Sequence, residues 1–248
     1  TPSDRARFFG YLGVVGEDGH FLGDPIASID NWMASVYHRN LIMGYPYTDM
    51  GYGIVAEDRN TVDALNMGTV NWSWPDERFI YTYPASGQKN VIRSWSVNEI
   101  PDPLPGLPRP VGYPISIYIQ RPRTVLAAGE VERALVVRDA ATVQASSPQW
   151  SVAAAELRTV GGDDVPVYML DQNTDIPKYL GPNVVFLIPH KPLAADTTYV
   201  AHIAGTDSAG TPFDWRWAFS TGGTLSAPDL TPTRVWMNPR FPKAGDTV

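Results

Sequence analysis

Imidazole is the scarcest reactive group in this sequence, and no thiol competes with it. The 248 residues contain four histidines, His20, His38, His190 and His202, and no cysteine. Disulfides, thiolate metal sites and cysteine nucleophiles are excluded together. His38 is the histidine best placed for chemistry. It follows Ser35 by three residues, so the two share a face of any helix that carries them, and Arg39 comes next. A serine hydrolase needs an acid in register with such a pair, and the chain has no G-x-S-x-G elbow. Ser35 therefore reads as a packing and hydrogen-bonding residue. His38 reads either as a helix-end side chain bonded to backbone carbonyls or as a ligand or acid–base group in a cavity. His20 reads as a surface-loop residue, and His190 and His202 as structural or exposed. No P-loop, dinucleotide G-x-G-x-x-G or H-E-x-x-H occurs. Trp72 and Trp74 alternate along a strand-like stretch beside a polar edge. They are the best candidates for an exposed aromatic binding surface.

The elements that must position these residues are legible in part. Thr1-Pro2-Ser3-Asp4 has the form of a helix start. With no Met and no leader before it, the chain reads as a fragment or processed product. Asp24 caps a second helix whose first position is Pro25. Ile26, Ile29, Met33 and Val36 form its apolar stripe, and His38 and Arg39 lie in its last turn. Strands follow at Tyr52–Ala56, Val62–Val70 and Phe79–Tyr83. Six of the sixteen residues from Glu99 to Pro114 are proline, which predicts an extended linker between two cores. Beyond it, Ile115/Ile117/Ile119, the apolar run Asn183–Ile188, Tyr199/Ala201/Ile203 and Trp215/Trp217/Phe219 read as strands of a sandwich. Asp207-Ser208-Ala209-Gly210 reads as a turn.

Charge narrows the functional classes. Nineteen Lys and Arg against 26 Asp and Glu give a formal charge of −7. That balance argues against nucleic acid and against a polybasic membrane patch. No apolar run reaches the roughly 20 residues of a spanning helix.

The stretch Trp32-Met33-Ala34-Ser35-Val36-Tyr37-His38-Arg39-Asn40-Leu41-Ile42-Met43 resembles the W-x-x-S-x-x-H-R-x-x-I-L pattern of the bacterial CAP superfamily, also called the SCP-like or pathogenesis-related-1 family. Pro46 and Gly51-Tyr52-Gly53 continue that pattern. Gly16-Glu17, Asp4-Arg5-Ala6 to Gly10-Tyr11, Tyr83-Pro84 and Glu99-Ile100-Pro101-Asp102-Pro103 fit its flanking segments. The segment Pro189 to Thr221 resembles bacterial immunoglobulin-like domains, with Thr197-x-Tyr199 as a tyrosine corner. Together these resemblances imply an α+β chain: a partial CAP α-β-α sandwich followed by an all-β Ig-like sandwich. The expected division is a CAP-like domain at 1–100 lacking its first helix, a Pro-rich linker at 101–113, an Ig-like domain at 114–222 and a C-terminal linker or tail at 223–248. The family's first helix, which normally carries another histidine, would lie before residue 1. A partner chain or missing segment would then cover the helix face.

The resemblance promotes Glu17 and His38 to cavity residues, with Ser35 and Arg39 beside them. It allows a divalent metal, zinc or magnesium, between Glu17 and His38, and requires no cofactor. The function it implies is a secreted, non-enzymatic module that binds a lipid, small ligand or cell-surface partner and is carried on an Ig-like spacer outside the cell. The competing expectations are a metal-assisted hydrolase built on Glu17 and His38, and a structural surface or matrix component.

Overall fold

The computed structural model describes residues 1–21, 24–44, 47–57, 60–70, 77–96, 99–120 and 150–223. The first helix, α1 (Pro2–Phe8), is closed by a capping box in which Thr1 and Asp4 satisfy each other's backbone N–H groups. Asp24 caps α2 (Pro25–Ala34) by accepting hydrogen bonds from the N–H groups of Ile26 and Ala27. The single helix expected through Arg39 is instead two. Ser35 is extended and ends α2, and α3 (Tyr37–Ile42) begins two residues later. The apolar stripe divides accordingly: Met33 and Val36 are buried, whereas Ile26 is 55% exposed.

Among the described residues, twelve strands make up the rest. β1 (Val14–His20), β2 (Asp49–Glu57) and β3 (Asn60–Thr69) form an antiparallel sheet in the order β1-β3-β2. β4 (Phe79–Tyr83), β7 (Ile115–Gln120), β10 (Val184–Pro189) and β9 (Val167–Leu170) form a second, in the order β4-β7-β10-β9. β12 (Pro212–Ser220), β11 (Thr198–Thr206) and β8 (Ser151–Thr159) form a third, and the short β5 (Ser94–Trp95) and β6 (Val111–Gly112) pair with each other. Turn chemistry fixes the β11–β12 hairpin. Asp207 Oδ1 accepts from the N–H groups of Ala209 and Thr211, and Gly210 takes φ +79°. The Tyr199 hydroxyl accepts from the Ala194 N–H at 2.8 Å, the corner expected from Thr197-x-Tyr199.

This architecture corrects the expected fold class. Among the described residues, 44% are in strands and about 13% in helices, a β-rich fold of several antiparallel sheets in place of a CAP α-β-α sandwich. The physical reason lies in the helices. α1 buries no residue, and α2 and α3 have only ten and six residues, too little apolar surface for a helical layer on both faces of a sheet.

The expectation of two cores parted by the proline-rich segment also fails. β4 pairs with β7, with Ile80 opposite Ile119 and Tyr81 opposite Tyr118. One apolar cluster runs from Ala34 and Val36 through Trp95, Leu104 and Tyr113 to Phe186, Trp217 and Phe219. Proline removes backbone donors but does not stop neighbouring side chains from packing. Leu104, Val111 and Tyr113 are all buried. Asp102 turns the chain by accepting from the Leu104 N–H and from Arg109. The expected tail beyond Gly223 lies outside the described residues.

Candidate functional site

The first N–H groups of α3 have no partner inside the helix and no local side chain to cap them. Glu99, sixty-odd residues away in sequence, fills that role. Its Oε2 accepts from the Val36 N–H at 2.9 Å, and its Oε1 accepts from the N–H groups of Tyr37 and His38 at 2.7 and 3.0 Å. The same Oε1 lies 2.7 Å from His38 Nδ1. The Glu99 side chain is wholly buried, whereas that of His38 is 29% exposed. A carboxylate at Nδ1 places a proton on that nitrogen and turns Nε2 toward the partly open side.

Asp18 completes the group. Side chains alternate along β1, so Glu17 and Asp18 face opposite sides. Glu17 points outward and pairs with Arg5. Asp18 is 5% exposed, and its Oδ2 has no hydrogen-bond partner. Burial pushes its carboxyl up to about 7, with His38 pulling the other way and Glu99 adding to the rise. For His38, burial opposes the charged ring. The hydrogen bond and charge of Glu99, with the charge of Asp18, outweigh it and hold the imidazole above its ordinary range.

Both shifts act on stability with the same sign. A group whose native pKa lies above its unfolded value stabilises the fold at low pH and loses that contribution as pH rises through the native value. For Asp18 that loss begins above the ordinary carboxylate range and is complete once pH passes about 7. For His38 it begins above 6.5. The melting temperature should therefore fall between pH 5 and pH 8. Asp18→Asn, which is uncharged throughout, should flatten that slope and exceed the wild type at pH 8 by about 1–3 kcal/mol. Denaturation curves of both proteins across this range provide the check. Parallel pH profiles would show that Asp18 does not titrate as described.

The other predicted site residues sort clearly. Ser35 is buried. Its hydroxyl donates to the Trp32 carbonyl at 2.8 Å and lies 3.2 Å from His38 Nδ1, the nitrogen already committed to Glu99. That geometry suits a positioning hydroxyl and not a nucleophile. Arg39 is completely buried. Its Nε donates to the Met33 carbonyl at 2.5 Å, and its Nη1 to the Pro114 carbonyl at 2.6 Å and Ser116 Oγ at 3.3 Å. The guanidinium lies 4.9, 4.8 and 5.7 Å from the ring centres of Tyr83, Tyr113 and Phe186. It ties the helices to β7. Glu17 and His38 are not brought together as a pair, and among the described residues no group of three or more His, Asp or Glu is arranged to hold a metal ion. His20 sits in β1 and not in a surface loop, edge-on to Trp32 at 6.3 Å. His202 bonds Asp214, and His190 stacks on Tyr168. Trp72 and Trp74 lie outside the described residues.

Two residues escaped the sequence reading. Glu99 was visible only as part of the E-x-P-x-P stretch, and its one signal was being a carboxylate beside a proline-rich segment. Asp18 adjoins Glu17, and only the strand's alternation tells which of the two faces inward. No family model and no curated protein matches the chain. Among the described residues, no helix is long and apolar enough to cross a membrane.

Proposed function

We propose that this chain is a non-enzymatic ligand-binding module of an exported bacterial protein, and that its His38 site takes the acceptor-rich head of a lipid or small ligand. One observation carries the reading. Glu99 holds His38 by Nδ1, so the Nε2 side of a partly exposed ring is left for a ligand beside a carboxyl that burial keeps neutral up to about pH 7. Below that pH the site offers two donors, Nε2–H of the imidazolium and O–H of Asp18, to a phosphate, carboxylate or ester oxygen. The residues that carry the CAP resemblance support it too, because Trp32, Ser35 and His38 are joined by hydrogen bonds. The exported, surface-associated setting rests on that resemblance.

The test follows the His38 ring by nuclear magnetic resonance while dodecyl phosphate is added. Dodecyl phosphate should shift the ring resonances at pH 6 and bind roughly tenfold more weakly at pH 8, and calorimetric titration should show a similar weakening in His38→Ala. Dodecyl maltoside, which lacks the anionic head, should leave the ring unmoved. No shift with dodecyl phosphate at either pH would end the proposal. A melting temperature raised by zinc or magnesium in the wild type but not in His38→Ala or Glu17→Ala would favour the metal-assisted hydrolase instead.

A further inference from the structure

α3 also borders a cleft of about 510 Å³ whose lining includes neither His38 nor Asp18. Tyrosine rings and amide side chains dominate its lining: Tyr37, Tyr118 and Tyr179 with Asn40, Gln120 and Asn183. Among the described residues, no Asp, Glu, Lys, Arg or His lines it. The volume suits a small-molecule ligand. We infer that this cleft binds a neutral oligosaccharide.

The chemistry selects that class. A pyranose ring has an apolar C–H face and a rim of hydroxyls. Tyrosine rings take the face. Amides, which both donate and accept, pair with the hydroxyls. A charged ligand would lose its hydration here without gaining a counter-charge. An alkyl chain would offer the amides no further hydrogen bond.

The aromatic wall is held ready before any ligand arrives. Asp175, fully buried, accepts from the Tyr37 hydroxyl at 2.5 Å through Oδ1. Its Oδ2 accepts from the N–H groups of Tyr179 and Leu180 at 2.7 and 2.8 Å. One carboxylate thus fixes both a ring in the cleft and the backbone of the loop that carries the other. Tyr179 packs on Tyr37 at 5.2 Å yet stays 62% exposed, a large ring presented at the rim. Gln120 is oriented by donating to the Tyr81 hydroxyl, and Asn183 by a two-way bond with Ser208. Such pre-ordering lowers the entropy cost of binding.

Calorimetric titration of the full chain with cellohexaose, xylohexaose, mannohexaose and N-acetylchitohexaose tests this. At least one should bind with a dissociation constant below about 1 mM. Tyr179→Ala and Asn40→Ala should each weaken it about tenfold or more, with melting temperatures near that of the wild type, while His38→Ala leaves it unchanged. That last arm separates this inference from the one about His38. Absence of binding by all four sugars would overturn the proposal. So would undiminished binding in both variants, equal binding of oligogalacturonate, or a Tyr179-dependent affinity for phosphatidylcholine vesicles in place of the sugars.

Discussion

Arg39→Ala is expected to destabilise the protein by about 3–5 kcal/mol, a large part of the roughly 5–15 kcal/mol that holds a typical domain together. The side chain is fully buried, and its charge is met by carbonyl oxygens and aromatic faces. Truncation empties the space between Tyr83, Tyr113 and Phe186 and removes the donor to the Pro114 carbonyl. The Met33 carbonyl suffers less, because the Tyr113 hydroxyl also donates to it at 3.1 Å. Arg39→Met restores most of the volume and gives up the charge together with its desolvation, so it should lose only about 1–3 kcal/mol. Arg39→Lys keeps the charge without the planar fork that reaches Met33 and Pro114 together, and it should fall closer to alanine than to arginine. Urea denaturation of the three variants gives the ranking. A loss under about 1 kcal/mol in Arg39→Ala would contradict the role drawn for this residue.

Local signals survived into the structure, and long-range ones were the source of error. Thr1 and Asp4, Asp24 before Pro25, the alternation of Ile115 to Ile119, and the Asp207–Gly210 turn all act through neighbours within a few residues. A sequence pattern reads such neighbours directly. The break at Ser35 could not be read that way. Ile26, Ile29, Met33 and Val36 keep helical spacing across it, and what allows α3 to start afresh is a carboxylate from residue 99. The proline-rich segment misled for a related reason. Prolines announce irregular backbone, but they do not say whether the side chains between them are wet or buried, and Leu104, Val111 and Tyr113 turn out to be core. At the site, His38 and Ser35 were legible and do meet. The acid beside them was read as Glu17, when the parity of β1 turns Asp18 inward instead.

Glu99→Gln should unsettle both the fold and the chemistry of His38, and it separates the two. The wild-type carboxylate accepts three backbone N–H groups and the imidazole, all at 2.7–3.0 Å. Glutamine keeps the shape but replaces one acceptor oxygen with an NH2 that faces donors. At least one buried N–H then loses its partner and meets another donor, at a cost of about 1–3 kcal/mol. Glu99→Ala leaves all of them without this partner and should lose about 3 kcal/mol or more. The imidazole reports independently. Burial already disfavours its charged form, and the hydrogen bond and charge of Glu99 lead the effects that reverse this. In Glu99→Gln the charge is gone and burial remains, so the His38 pKa should drop below its ordinary 6.5. The pH-dependent loss of stability from His38 should weaken with it, because a native pKa no longer above the unfolded value gives no stabilisation that rising pH removes. Imidazole resonances followed through a pH titration measure the shift, and urea denaturation measures the fold. A His38 titration unchanged in Glu99→Gln would mean that this carboxylate caps α3 and does nothing for the ring. The donor site beside Asp18 would then lose the feature that orients it.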